Sequence, residues 1–144
     1  MKVYLDANVF ICAAISSPEL RTQAVAIIQA VQEEKVEALT SILTWDEVVY
    51  VIKKLDTTSA AIEAGFAFLN FSQLQIVNAT KNTGLEALEA IREHKLLPRD
   101  AIHYATMKIE NITEIVSEDS DFDKIKTIKR YSIKEFSEKI NKLH

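Results

Sequence analysis

Only two glycines (Gly65, Gly84), two prolines (Pro18, Pro98) and one cysteine (Cys12) occur in the 144 residues, where average usage would give about ten glycines. A Walker loop and a G-x-G-x-x-G dinucleotide turn both need clustered glycines, so both are excluded. Collagen-like, linker-like and low-complexity readings fail with them. Phosphate, if this chain handles it, must be met by side chains or metal ions. The lone Cys12 excludes an internal disulfide and a cysteine-rich zinc site, and it fits a reducing cytoplasm. Asp6 and Asn8 stand directly before the apolar stretch 9–15 and no basic segment precedes them, so a secretory signal is not expected. No apolar run approaches the ~18 residues of a membrane span.

What is present fits one globular domain over 1–144. The chain is 48% apolar and 26% charged, which is ordinary for a packed domain. Its net charge of −4 is unevenly spread. Residues 124–144 hold seven Lys/Arg against two Glu, a net of +5, and residues 1–123 hold ten against nineteen, a net of −9. An acidic body with a basic tail hints at nucleic-acid contact, though a solvated helix face gives the same pattern.

Strands and helices alternate along the chain. Strands are expected at Lys2–Leu5, 36–40, Leu74–Val77, 114–117 and Lys129–Tyr131. Helices are expected at 9–16, 19–34, Ile42–Leu55, 59–71, Lys81–His94 and 98–110, with Leu85, Leu88 and Ile91 facing inward in the helix at Lys81–His94. Pro18 reads as a loop marker, whereas Pro98 suits the first position of a helix. Ser132 with Glu135 forms a capping box for a last helix. This alternation predicts an α/β fold, with three α/β/α layers around a central parallel sheet. In such folds ligands bind beyond the carboxyl ends of the strands.

Carboxylates fall at those places. Asp6 follows the first strand, and by itself is equally a helix cap. Asp119 and Asp121 follow the strand at 114–117. An EF-hand would need Gly and Glu where Lys124 and Arg130 stand, so a calcium loop is excluded and a polar turn remains open. Asp100 sits in the first turn after Pro98, where the helix dipole favours an acid, yet it shares a face with Tyr104 and Met107. Glu47 is mid-helix, bordered by Leu43 and Val51, and snorkelling or a pair with Lys54 is its alternative reading. Read together, the four converge on one pocket. Close carboxylate pairs repel by about 4 kcal/mol at an effective dielectric near 20, so the cluster needs cations. Hard oxygen donors suit Mg²⁺ or Mn²⁺.

These residues resemble the PIN domain family, and within it the small VapC-type toxin ribonucleases. VYLDANVF is similar to the family's first-strand Asp-x-Asn motif. Glu47, in SILTWDEVVYVI, stands at the helix-borne Glu, and DAIHYA from Asp100 is similar to the third acidic motif. Ser117-Glu118-Asp119-Ser120-Asp121-Phe122 resembles the last motif, with Ser117 keeping the hydroxyl of the commoner Thr and Glu118 adding an acid.

The resemblance implies metal-dependent hydrolysis of RNA phosphodiester bonds. Asp6, Glu47, Asp100 and Asp119 would be catalytic and, with Asp121, would hold Mg²⁺ or Mn²⁺. Asn8 and Ser117 would orient carboxylates or water, and Arg99 is either a phosphate contact or a surface cation. It also implies a small antitoxin partner and a homodimer. A stand-alone PIN nuclease of RNA processing and a non-catalytic PIN-like binding module are the alternatives. A haloacid-dehalogenase-type phosphatase needs Asp-x-Asp, which Asp6-Ala7-Asn8 lacks. His103 is read as packed in its helix, with a proton shuttle as the alternative. Phe66, Phe68, Leu69 and Phe71 are read as core, with a partner surface as the alternative.

Overall fold

A computed structural model describes residues 1–143. Five parallel strands form one sheet in the order β3-β2-β1-β4-β5. They are β1 (Lys2–Leu5), β2 (Glu37–Ser41), β3 (Leu74–Val77), β4 (Glu114–Val116) and β5 (Lys129–Tyr131). β1 lies at the centre, with β2 on one side and β4 on the other. The chain therefore reverses its direction of growth across the sheet between β1 and β4, and a crevice opens at such a switch.

The pleat sends alternate residues to two cores. Val3, Leu5, Ala38 and Val116 face helices α1 (Ala7–Ile15), α2 (Pro18–Gln32), α3 (Ile42–Leu55), α4 (Thr58–Leu69) and α7 (Ile133–Lys142). Tyr4, Leu39 and Ile115 face α5 (Lys81–His94), α6 (Pro98–Ile109) and a short 3-10 helix at Ser120–Lys124. Three layers result, as expected from the alternation. The basic C-terminal stretch is built into the fold. β5 pairs with β4, and Ile133, Phe136 and Ile140 of α7 are buried.

Local chemistry fixes the helix starts. Asp6, Ser41, Thr57, Thr80 and Ser132 each accept a backbone N–H through the side chain, satisfying donors that the first turn leaves free. The Ser132–Glu135 capping box forms as expected. Pro18 corrects the loop reading: it opens α2, as Pro98 opens α6, because a missing N–H is harmless at a first position.

Neither glycine has positive φ; Gly65 lies in α4 and Gly84 in α5. The left-handed conformation falls instead to Glu34, Lys95 and Asn111, each at φ 58° just beyond a helix end, where glycine is usual.

The inward face of α5 is also a correction. Thr83, Ala87 and Ala90 are buried there, while Leu85 and Leu88 are 56% and 60% exposed. Small residues let α5 lie close against the alanine-lined α6, which turns the leucines outward.

Candidate active site

The C-terminal ends of β1 and β4 carry the first half of the site. Asp6 is 5% exposed. Its Oδ1 accepts the N–H of Ala7 at 2.7 Å and its Oδ2 accepts the Ser117 hydroxyl at 2.6 Å. Asp6 thus caps α1, as the cap reading expects, while its other oxygen is held by Ser117 at the end of β4. The backbone N–H of Asp119 donates to the same Ser117 oxygen at 3.0 Å. Asp119 in turn caps the 3-10 helix, accepting from the N–H of Asp121 at 2.9 Å. Asn8 accepts the N–H of Glu118 at 3.3 Å and so anchors this loop from α1.

Helices supply the other half. Asp100, in the first turn of α6, lies beside Asp119, one oxygen of each within 4.8 Å of the other. Its burial, the bond to Asp119 and the charges of Asp119 and Asp6 push its pKa up to about 7, against a smaller opposing effect of His103. Two carboxyls so placed cannot both ionise cheaply. Glu47 of α3 pairs with His103 rather than with Lys54, its Oε1 lying 2.6 Å from Nε2.

His103 is packed, being 1% exposed, and it also lies among the acids. Its Nδ1 meets the Tyr4 hydroxyl, and its Nε2 is 3.6 Å from Asp6 Oδ1. Burial disfavours its charged ring, but the bond to Glu47 and the charges of Asp6, Glu47 and Asp100 outweigh this and raise its pKa.

Two sets of ligand atoms result. One atom from each of Asp100, Asp119 and Asp121 lies within 4.8 Å of the others, and the same holds for Asp6, Glu47 and His103. The mutual repulsion written into Asp100 and the predominance of hard carboxylate oxygens fit a divalent cation such as Mg²⁺ or Mn²⁺.

Three acids that neighbour the candidate residues in sequence fall outside this arrangement. Glu118 turns away from Asp119, and its Oε1 accepts the N–H of Ile133 at 2.7 Å, capping α7. Asp46 meets Arg99 at 3.9 Å, both side chains being mostly exposed. Asp123 takes the Arg130 fork through two bonds of 2.9 and 3.0 Å, and the same guanidinium donates to the Ser117 carbonyl at 3.0 Å.

Sequence reading passed over Tyr4. The available signal was its hydroxyl on the central buried strand, two residues before Asp6 and on the same side of the pleat.

A large apolar groove lies elsewhere. A groove of about 490 Å³ between α1, α3 and α4 is lined by Phe10, Val48, Phe68 and Phe71 and contains none of the carboxylates. The apolar end of α4 divides, with Phe68 3% and Phe66 64% exposed.

Solved structures share this fold. Residues covering 84% of this chain and 92% of the other superpose on VapC20 of Mycobacterium tuberculosis, a Sarcin-Ricin loop cleaving toxin, with a TM-score of 0.69 at 17% identity. A toxin–antitoxin complex from Klebsiella pneumoniae gives 0.65 at 23% identity, over 90% of this chain and 98% of that one. VapBC2 of Rickettsia felis, bound to a fragment of promoter DNA, gives 0.69 at 15% identity, over 92% and 98%. Among curated protein sequences none matches. The PIN domain family matches residues 3–128, from the first residues of β1 through the acidic loop to the approach to β5. The chain belongs to the PIN domain family.

Proposed function

We propose that this chain is a metal-dependent endoribonuclease and the toxin of a toxin–antitoxin pair. One observation carries the reading: Asp6, Asp100 and Asp119 converge where the sheet switches direction, and Asp100 is pushed up to about 7 by its neighbours. Asp6, Glu47, Asp100, Asp119 and Asp121 would hold Mg²⁺ or Mn²⁺. A bound cation of this kind supplies Lewis acidity to phosphoryl oxygens and eases deprotonation of water.

The rest of the work falls to the chain. Ser117 fixes the orientation of Asp6 by its hydroxyl and that of the Asp119 loop by its oxygen. Asn8 holds the backbone of the same loop. Asp119 is presented at the start of the 3-10 helix and Asp100 at the start of α6, so both carboxylates sit on rigid elements and lose little freedom on binding. Arg99, exposed beside Asp100 and 3.9 Å from Asp46, would meet a substrate phosphate at the rim. Lys126, Lys134 and Lys142 are exposed on the basic segment and would attract RNA backbone.

We read residues 1–144 as one nuclease domain, with α7 part of its core. The partner reading is supported by toxin–antitoxin complexes among the similar structures and by exposed Tyr50, Leu55, Ile62 and Phe66 on α3 and α4. Such apolar exposure fits an antitoxin or a second copy. Cytoplasmic residence is supported by the single buried Cys12. No helix among the described residues is long and apolar enough to cross a membrane.

The test is cleavage of RNA by purified protein in Mg²⁺ or Mn²⁺, with and without EDTA, for wild type, Asp6→Asn and Asp119→Asn. Cleavage should need the cation, leave 5′-phosphate and 3′-hydroxyl ends, and fall at least 100-fold in both variants. Equal cleavage by the variants overturns the assignment. Growth arrest on expression, relieved by Asp6→Asn, tests the toxin reading.

A further inference from the structure

Three groups from three elements make a continuous chain into the acidic pocket: Tyr4 of β1, His103 of α6 and Glu47 of α3. Tyr4 is fully buried and His103 is 1% exposed. The Tyr4 hydroxyl lies 2.5 Å from Nδ1, and Nε2 lies 2.6 Å from Glu47 Oε1 and 3.6 Å from Asp6 Oδ1.

The donors follow from elementary chemistry. An ionised carboxylate only accepts, and a phenol keeps its proton at neutral pH. Tyr4 therefore donates to Nδ1 of a neutral ring, and the hydrogen of that ring sits on Nε2, aimed at Glu47. In a charged ring both nitrogens carry hydrogens, and Nε2–H still meets Glu47. Rotating the ring end over end would put C–H groups against both the hydroxyl and the carboxylate, so Tyr4 also fixes the ring's orientation.

Glu47 has three rotatable side-chain bonds and is only partly buried. A rigid donor restricts those rotamers during folding rather than at ligand binding. We propose that Tyr4 and His103 form a positioning relay that holds the Glu47 carboxylate beside Asp6 for a divalent cation, with His103 keeping its Nε2 hydrogen and staying out of the coordination shell. The inference rests on reading the acids as a cation site.

Neither residue touches the reacting atoms in this scheme, so the readout is cation binding and ring protonation. Mn²⁺ is titrated calorimetrically into the full chain as wild type, Tyr4→Phe, His103→Gln and His103→Leu. In parallel, ¹⁵N-histidine-labelled wild type is followed by long-range ¹H–¹⁵N correlation as Mg²⁺ is added. Tyr4→Phe keeps the ring and removes one hydroxyl, which guards against a variant that fails to fold.

Mn²⁺ affinity should fall roughly tenfold or more in His103→Leu, the range for groups that orient metal ligands. It should fall less in His103→Gln, whose amide can still donate to Glu47, and it should fall measurably in Tyr4→Phe. The Nε2 hydrogen should persist at saturating Mg²⁺. Loss of that hydrogen would make His103 a ligand and overturn the relay. Wild-type affinity in all three variants would overturn it too, leaving the cation site intact. A wild type that binds neither Mn²⁺ nor Mg²⁺ overturns the cation site itself, and the relay with it.

Discussion

The hydroxyl of Ser117 donates to Oδ2 of Asp6 at 2.6 Å, across 111 residues of sequence. Both residues are buried, and each directly follows a strand, Asp6 after β1 and Ser117 after β4. One oxygen therefore sets the orientation of Asp6 and, by accepting the N–H of Asp119, the position of the acidic loop.

Ser117→Ala removes a buried partner from Asp6 and an acceptor from Asp119. Stability should fall by about 1–3 kcal/mol, the penalty for stranding buried polar groups. Mn²⁺ affinity should fall roughly tenfold or more, because the ligands lose their orienting bond. Chemical denaturation and calorimetric titration measure the two effects separately.

Asp100 gives a pH dependence of defined sign. Its folded pKa of about 7 lies above its ordinary 3.8. The stability associated with its protonated form is complete below the ordinary value and is lost as pH rises through about 7. His103, also raised, acts in the same direction above 6.5. In EDTA, Asp100→Asn should match wild type near pH 4 and exceed it at pH 7.5. The gain is on the order of 1 kcal/mol, since solvent screens a half-exposed group. Thermal unfolding at the two pH values decides it, and a gain independent of pH contradicts the raised pKa.

Glu118 separates a cap from a ligand. Its carboxylate accepts the N–H of Ile133, so Glu118→Ala should lower stability by about 1 kcal/mol. Mn²⁺ affinity should stay at the wild-type value. A large loss of affinity would return Glu118 to the ligand set.

The two glycines should respond oppositely to alanine. A Cβ at Gly65 would meet Val49 Cγ2 at 3.1 Å and Trp45 Nε1 at 3.2 Å, whereas one at Gly84 meets nothing within 4 Å. Gly65→Ala should destabilise by about 1 kcal/mol or more through overpacking of α3 on α4. Gly84→Ala should stabilise by about 0.5–1 kcal/mol. Denaturant midpoints of the two variants test the pair.

Phe66 is 64% exposed whereas Phe68 is 3% exposed and stacks edge-on against Phe10 at 4.9 Å. Phe68→Ala should cost about 3–5 kcal/mol. Phe66→Ser should change stability by no more than about 0.5 kcal/mol yet weaken self-association or antitoxin binding, as read by sedimentation and pull-down.

Local patterns carried most of the fold. The bounds of α3, β3 and α5 follow directly from apolar periodicity and from cap residues such as Ser41 and Thr80. The facing of α5 was not legible in the same way. Periodicity alone favours its leucines, but the close approach of α6 selects Ala87 and Ala90. Pro18 has two roles in sequence, loop marker and helix opener, and only the cap geometry separates them.

The acids at strand ends could be placed from topology alone, because β1 and β4 present Asp6 and Asp119 at one sheet edge. Tyr4 and His103 could not, since their bond spans 99 residues and no local pattern announces it. Glu118 was ambiguous for a similar reason, as its partner lies on a helix that starts 15 residues later.

The central position of β1 also bears on synthesis. Asp6 leaves the ribosome well before its partner Ser117, which follows 111 residues later. Until β4 has been made and docked, that acid lacks its Ser117 partner and the Asp119 loop. Late closure of this kind couples assembly of the pocket to completion of the sheet. Chains that stop before β4 therefore lack Ser117 and Asp119, and any activity the site has begins only once the long-range pairing is in place.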